Sequence, residues 1–142
     1  MQIQRIQTLF LLIAAIITAI FCFVPYALYT PETMTAESMT AAMVKDTPAL
    51  MVLNLVLVAL LFFSIFMYKN LKQQMRMTVV SIVLICVSMV TTGFIIFGKL
   101  PNATPVLLGG VTLLIISLVF ALLAYRGMRN DRRLLSSLNR LR

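Results

Sequence analysis

Long uncharged stretches alternate with short polar segments along this chain. Residues 49–68 contain no charged side chain over 20 positions, and residues 77–97 contain none over 21. As a helix, at about 1.5 Å per residue, each stretch reaches about 30 Å, the thickness of the hydrocarbon core of a bilayer. The pattern therefore predicts a membrane hairpin whose two helices are joined by the turn at residues 69–76.

Two further uncharged stretches, residues 9–29 and 105–125, extend this prediction to four transmembrane helices. No small-x-small cleavage site follows the first stretch, so we interpret it as a retained helix rather than a signal peptide. The connection at residues 98–104 is short enough to keep its two helices antiparallel. We predict an all-α fold: one integral membrane domain over residues 1–142, an up-down four-helix bundle with spans at about 9–29, 49–68, 77–97 and 105–125.

The longest polar connection, residues 30–47, is expected to include a short extracytoplasmic helix. Thr30-Pro31-Glu32 combines a capping hydroxyl, a proline and an acid, which is typical of a helix start. The pairs Thr47-Pro48 and Thr104-Pro105 predict starts for the second and fourth spans in the same way. For Met34, Met39 and Met43 we favour a helix lying on the membrane surface over a methionine-rich ligand or partner contact.

Positive charge is concentrated on one side of the predicted membrane. Ten cations lie there, in the N-terminal segment, the turn and the tail at residues 126–142: Arg5, Lys69, Lys72, Arg76, Arg126, Arg129, Arg132, Arg133, Arg140 and Arg142. Only Lys45 and Lys99 lie on the other side. The positive-inside bias places both termini in the cytoplasm, as in a multi-pass inner-membrane protein. Although the net charge is +8, cations at membrane edges favour contact with anionic lipid and disfavour nucleic acid.

The tail also predicts a basic amphipathic helix. Leu134, Leu135, Leu138 and Leu141 follow an i, i+1, i+4, i+7 pattern, and Arg132, Arg133, Arg140 and Arg142 lie before, between and after them. Such a helix either lies in the cytoplasmic headgroup layer or docks on a protein partner. We slightly favour the lipid contact, and the two are compatible.

The composition excludes most catalytic chemistry. The chain is 61% hydrophobic with a mean hydropathy of +1.02, it has no histidine, and its two cysteines, Cys22 and Cys86, lie in apolar stretches. This removes Ser-His and Cys-His nucleophile pairs, His-held haem and most zinc sites. No predicted span contains Asp, Glu, Lys, Arg or His, which disfavours ion-coupled transport. We expect no enzymatic activity, no cofactor and no metal.

Asn54 is the one strongly polar side chain inside a predicted span. Thr91 and Thr92 fall at a similar depth on the next span, so we predict that Asn54 forms a hydrogen bond to one of them. Thr18, Cys22 and Gly110 are expected near the same level. Interhelical contacts of this kind stabilise bundles in lipid, and we favour this role over a substrate site.

The two ends of the chain resemble a known family. Ile3-Gln4-Arg5-Ile6-Gln7-Thr8 at the start, and the finish from Arg129-Asn130-Asp131-Arg132-Arg133 to Arg140-Leu141-Arg142, are similar to domain of unknown function 4293, a family of small Bacteroidetes membrane proteins. The resemblance implies a four-helix bacterial inner-membrane protein and assigns no activity. We expect an accessory or interaction subunit of a larger membrane complex. The alternative is a small transporter or lipid-binding protein that uses a groove near Asn54.

Overall fold

Four helices form most of the protein in its computed structural model, which describes residues 2–30, 40–98, 104–105 and 110–140. The helices are α1 (Gln2–Phe21), α2 (Pro48–Phe66), α3 (Leu71–Gly98) and α4 (Val111–Arg140). Single turns of 3-10 helix lie on either side of α2, at Val44–Asp46 and Met67–Lys69. The three strands among the described residues are β1 (Ala27–Tyr29), β2 (Thr40–Ala42) and β3 (Thr104–Pro105).

The helices pack as a ring in which α1 contacts α2 and α4, and α3 contacts the same two helices. Side-chain contacts between Thr18 and Ser117, and between Gln7 and Asp131, show that α1 and α4 are antiparallel. One end of the ring holds the α2–α3 turn and the arginines of α4, and we call it the arginine-rich end. The other is the sheet end, because the strands lie there.

Buried positions recur along each helix in alternating steps of three and four residues, the spacing of helices that interlock at a shallow angle. Many of the side chains at these positions are small or polar. On α3 the buried series includes Thr78, Ser81, Ile85, Ser88 and Thr92, and on α4 it includes Leu114, Ser117, Ala121, Ala124, Met128 and Asp131. Small residues at the contact allow the helix backbones to approach closely.

The outward surface of the helices is strongly apolar. Leu55, Val90 and Phe94 are 65%, 73% and 69% exposed, whereas the hydroxyls of Thr18, Ser88 and Ser117 are on fully buried residues. This distribution suits lipid as the surroundings, because large apolar side chains face outward and polar groups find partners inside. By length and composition, α2, α3 and residues 111–138 of α4 suffice to cross a membrane, and Ile6–Phe21 is a shorter apolar helix.

The predicted helical class is confirmed, and the structure adds a small antiparallel sheet that the hydropathy pattern does not predict. Its strand order is β2-β1-β3, with Ala27 opposite Ala42 and Leu28 opposite Thr104. The predicted first span reached Tyr29, whereas α1 ends at Phe21. Pro25 lacks an N–H group and disfavours helical backbone at Val24, so the chain leaves the helix and enters β1.

The predicted helix starts have different outcomes. Thr47-Pro48 does begin α2, although the Thr47 hydroxyl makes no capping hydrogen bond. Thr104-Pro105 forms β3 instead, and α4 begins later, at Val111. For the short helix predicted from Thr30, residues 31–39 lie outside the described residues, and the chain that follows them forms β2. Also outside them are Lys99, Leu141, Arg142 and the side chains of Arg5 and Arg140.

Candidate functional site

A cavity of about 540 Å³ lies between α3 and α4 at the arginine-rich end. We call it the basic groove, and it is lined by Lys72, Met75, Arg76, Val79, Val80, Tyr125 and Arg132. The α3 residues recur every three or four positions, so helix geometry places them on one face. Tyr125 and Arg132 are seven positions apart, which sets them two turns apart on one side of α4. The groove therefore joins three cations to an apolar floor.

Asp131, the acid next to Arg132, is turned away from this groove. It is buried against α1, where the Gln7 Nε2 donates a hydrogen bond of 2.5 Å to the Asp131 Oδ2. Gly127 makes room for the amide, since a Cβ at that position would lie 2.9 Å from the Gln7 Cγ. The contact joins the two chain ends, and it leaves the groove without a lining carboxylate.

The predicted cytoplasmic contact residues thus separate into groups. Lys72, Arg76 and Arg132 line the basic groove, whereas Lys69 lines a second cavity of about 530 Å³ at the α2–α3 turn, together with Lys72 and Arg76. Three further arginines are exposed on α4 and line neither cavity: Arg126, Arg129 and Arg133. For Arg140 and Arg142 the prediction falls on side chains outside the described residues.

Asn54 contacts α3, but its partner differs from the predicted one. The Ser88 hydroxyl donates to the Asn54 Oδ1 at 3.3 Å, and the Asn54 Nδ2 donates to the Leu50 carbonyl at 2.9 Å. Thr91 and Thr92 donate instead to carbonyls of their own helix, at 2.8 Å each. The prediction of Thr91 or Thr92 as partner was therefore wrong. Ser88, one turn before Thr92 on the same buried face, lies opposite Asn54.

Other polar contacts between helices were not predicted as pairs. The hydroxyls of Thr18 and Ser117 lie 2.7 Å apart between α1 and α4, and those of Ser64 and Thr78 lie 3.3 Å apart between α2 and α3. The sequence signal for such interhelical contacts is the recurrence of small and hydroxyl residues at helical spacing within the apolar stretches. Gly110, expected near Asn54, packs instead on Tyr26, whose backbone would lie 2.8 Å from an added Cβ.

An apolar cavity of about 520 Å³ lies at the sheet end, between α1, α2 and the 3-10 turn that precedes α2. Its lining includes Cys22, Lys45, Met51, Leu55 and Val58. Asn54 does not line it, because that side chain is directed toward Ser88 on α3. The apolar cavity is therefore not the groove near Asn54 that the sequence suggested, and it lies on a different face of α2. The described residues bring together no group of His, Cys, Asp or Glu suited to a metal ion.

The geometry defines a class of protein: a set of apolar helices with small and polar side chains inside, as fits a membrane protein. Within that class, residues 3–141 match the model of the family described as Domain of unknown function (DUF4293), and the chain belongs to this family. No curated protein and no solved structure matches the chain. The family resemblance of the chain ends is thereby confirmed, and those ends are the segments that Gln7 and Asp131 connect.

Proposed function

We propose that this protein is a non-enzymatic accessory subunit of a larger complex in a bacterial inner membrane. In this proposal all four helices cross the bilayer and both termini lie in the cytoplasm, at the arginine-rich end. The antiparallel packing of α1 along α4, with Thr18 against Ser117, supports the fourth crossing despite the short apolar length of α1. The excess of cations at the arginine-rich end supports the orientation.

The observation that best supports a subunit role is the uninterrupted length of α4. At about 1.5 Å per residue, the 30 residues from Val111 to Arg140 extend about 45 Å. Of these, the 15 residues from Arg126 to Arg140 follow the apolar part of α4 and extend about 22 Å, which exceeds a headgroup layer of about 5 to 8 Å. The continuous helix therefore supports an end of α4 that projects into water rather than lying flat on the headgroups. Leu134, Leu135 and Leu138 are 56%, 52% and 62% exposed on that end. An apolar helix face in this position suits a groove on a protein partner.

The acids available for catalysis support the non-enzymatic part of the proposal. Asp131 is buried in its contact with Gln7, and Asp46 accepts a hydrogen bond from the Met43 backbone at 2.8 Å. The two remaining acids, Glu32 and Glu37, lie outside the described residues. The chain has no histidine, and a carboxylate acting as general acid or base would have to be one of these four.

Purification from native membranes in a mild detergent tests the subunit role. We expect a stoichiometric partner with the wild-type chain. Replacing the three exposed leucines together (Leu134→Gln, Leu135→Gln, Leu138→Gln) should remove that partner, because each removes apolar area from the docking face.

The matched control is Ser136→Ala with Ser137→Ala, which changes the same stretch of helix but only removes hydroxyls that bond to their own backbone. Both variants should insert into membranes in wild-type amounts. A wild-type chain that purifies alone would contradict the proposal.

The second candidate function is lipid binding or small-molecule transport, and the apolar cavity at the sheet end is the observation that favours it. The absence of Asp, Glu, Lys, Arg and His from the predicted spans favours an uncharged acyl chain over an ion-coupled substrate. Lipid retained in that cavity by a chain without a protein partner would support this candidate over the first.

A further inference from the structure

We propose that the basic groove between α3 and α4 is a binding site for one anionic phospholipid. The phosphate lies among Lys72, Arg76 and Arg132, and an acyl chain lies along Val79, Val80 and the ring of Tyr125. This site is a property of the groove alone and does not depend on the accessory role.

The charge in the groove has no counter-ion among its lining residues. Lys72, Arg76 and Arg132 come from two helices and are all exposed, so their charged ends are free to converge on one group. Asp131 could neutralise Arg132, but it is buried on the side of α4 that faces Gln7. Arginine and lysine are the side chains that bind phosphate oxygens most strongly, arginine through paired N–H groups.

The apolar half of the groove distinguishes a lipid from a soluble anion. Val79 and Val80 follow Arg76 by one turn and are 41% and 48% exposed. Val83 and Val87 continue the same face of α3 toward its middle, with 55% and 44% exposure. A free phosphate would contact only the cations, whereas an amphiphile covers the cations and the valines together.

Tyr125 is the aromatic residue of the groove lining. It is partly buried, and it lines the groove two turns before Arg132 on α4. A tyrosine combines an apolar ring with a polar hydroxyl and is typical of the headgroup level of a membrane. A groove lined by cations, a tyrosine and valines thus offers separate contacts to the headgroup, the glycerol region and the acyl chain of a phospholipid.

The test measures binding of phosphatidylglycerol to the full-length protein in a nonionic detergent by native mass spectrometry. We expect saturable binding of one molecule, with phosphatidylcholine bound much more weakly. Arg76→Gln with Arg132→Gln should weaken phosphatidylglycerol binding about 30-fold, which corresponds to about 1 kcal/mol for each removed cation.

The matched control is Lys69→Gln with Arg133→Gln, which removes the same charge from the turn and from α4 but from residues outside the groove. It should retain wild-type affinity. Val80→Gln keeps every cation, is exposed enough to fold, and should also weaken binding. If the groove and control variants lost the same phosphatidylglycerol affinity, the proposal would be overturned, because binding would then depend on surface charge in general. If inorganic phosphate displaced bound phosphatidylglycerol as effectively as added lipid does, the proposal would be overturned in favour of a soluble anion.

Discussion

The buried pair of Gln7 and Asp131 illustrates how a polar contact is accommodated at the level of single residues. A carboxylate out of contact with water is costly unless a donor satisfies it, and the Gln7 amide is that donor. Gly127 allows the amide to approach, since a side chain at residue 127 would occupy the space that the Gln7 side chain fills. Gln7, near one end of the chain, therefore acts together with Gly127 and Asp131, which lie one turn apart near the other end.

Removal of the carboxylate tests this arrangement. Asp131→Ala leaves the buried Gln7 amide without its acceptor and should lower the free energy of unfolding by about 1 to 3 kcal/mol. Thermal or denaturant unfolding in detergent measures the loss. Asn130→Ala, at an exposed neighbouring position, should change stability by less than about 0.5 kcal/mol. Similar losses in both variants would show that the contact is unimportant.

Asn54 shows how far residue-level prediction extends. Its polarity within an apolar stretch was enough to predict burial and a partner on α3. Which of Ser88 and Thr92 is the partner could not be predicted from the sequence, because it depends on the relative axial position of α2 and α3. A stagger of one turn, about 5.4 Å, exchanges one hydroxyl for the next on the same face.

At the scale of helices, hydroxyl groups have two different roles that the hydrogen bonds separate. Ser88 donates across to Asn54 on α2, whereas Thr92 donates to the Ser88 carbonyl within α3. Only the first connects two elements. In lipid such interhelical bonds contribute about 0.6 kcal/mol on average.

This separation predicts unequal effects of two similar substitutions. Ser88→Ala should destabilise the protein by about 0.6 to 1.7 kcal/mol, because the Asn54 carbonyl oxygen loses its donor from α3. Thr92→Val keeps the side-chain shape and removes only a bond within the helix, so it should be nearly neutral. The midpoint of unfolding in mixed detergent reports both. If Thr92→Val lost more stability than Ser88→Ala, the result would favour Thr92, as predicted from the sequence, as the partner of Asn54.

The same residue pair can begin a helix or a strand, and this limits prediction at the level of elements. Thr47-Pro48 begins α2, but Thr104-Pro105 pairs with β1. Apolar length reveals a helix of twenty residues, whereas strands of two or three residues have no periodic pattern to detect. The sheet is formed by pairing between distant segments, and local signals do not include that pairing.

For the whole molecule, the contact of α1 with α4 sets a constraint on topology. Because Gln7 meets Asp131, the start of α1 and the last turns of α4 lie at one end. A chain arranged in this way crosses a membrane an even number of times if α1 and α4 both cross. In the proposed topology, the positive-inside bias orients that end toward the cytoplasm.

Labelling with a membrane-impermeant maleimide tests this orientation in a chain with Cys22→Ala and Cys86→Ala. Lys45→Cys, at an exposed position of the sheet end, should react in intact cells stripped of their outer membrane. Asn70→Cys and Ser136→Cys, exposed at the arginine-rich end, should react only after the membrane is permeabilised. Reaction of these two from opposite sides would contradict the proposed topology.

The three-stranded sheet has a mechanical consequence for the ring of helices. Its central strand, β1, follows α1 and is hydrogen-bonded on one edge to β2, which leads into α2, and on the other to β3, which precedes α4. To separate these three helices at the sheet end, the connecting residues would have to stretch or the strand pairing would have to break. The sheet therefore acts as a tie that resists opening of the bundle at that end.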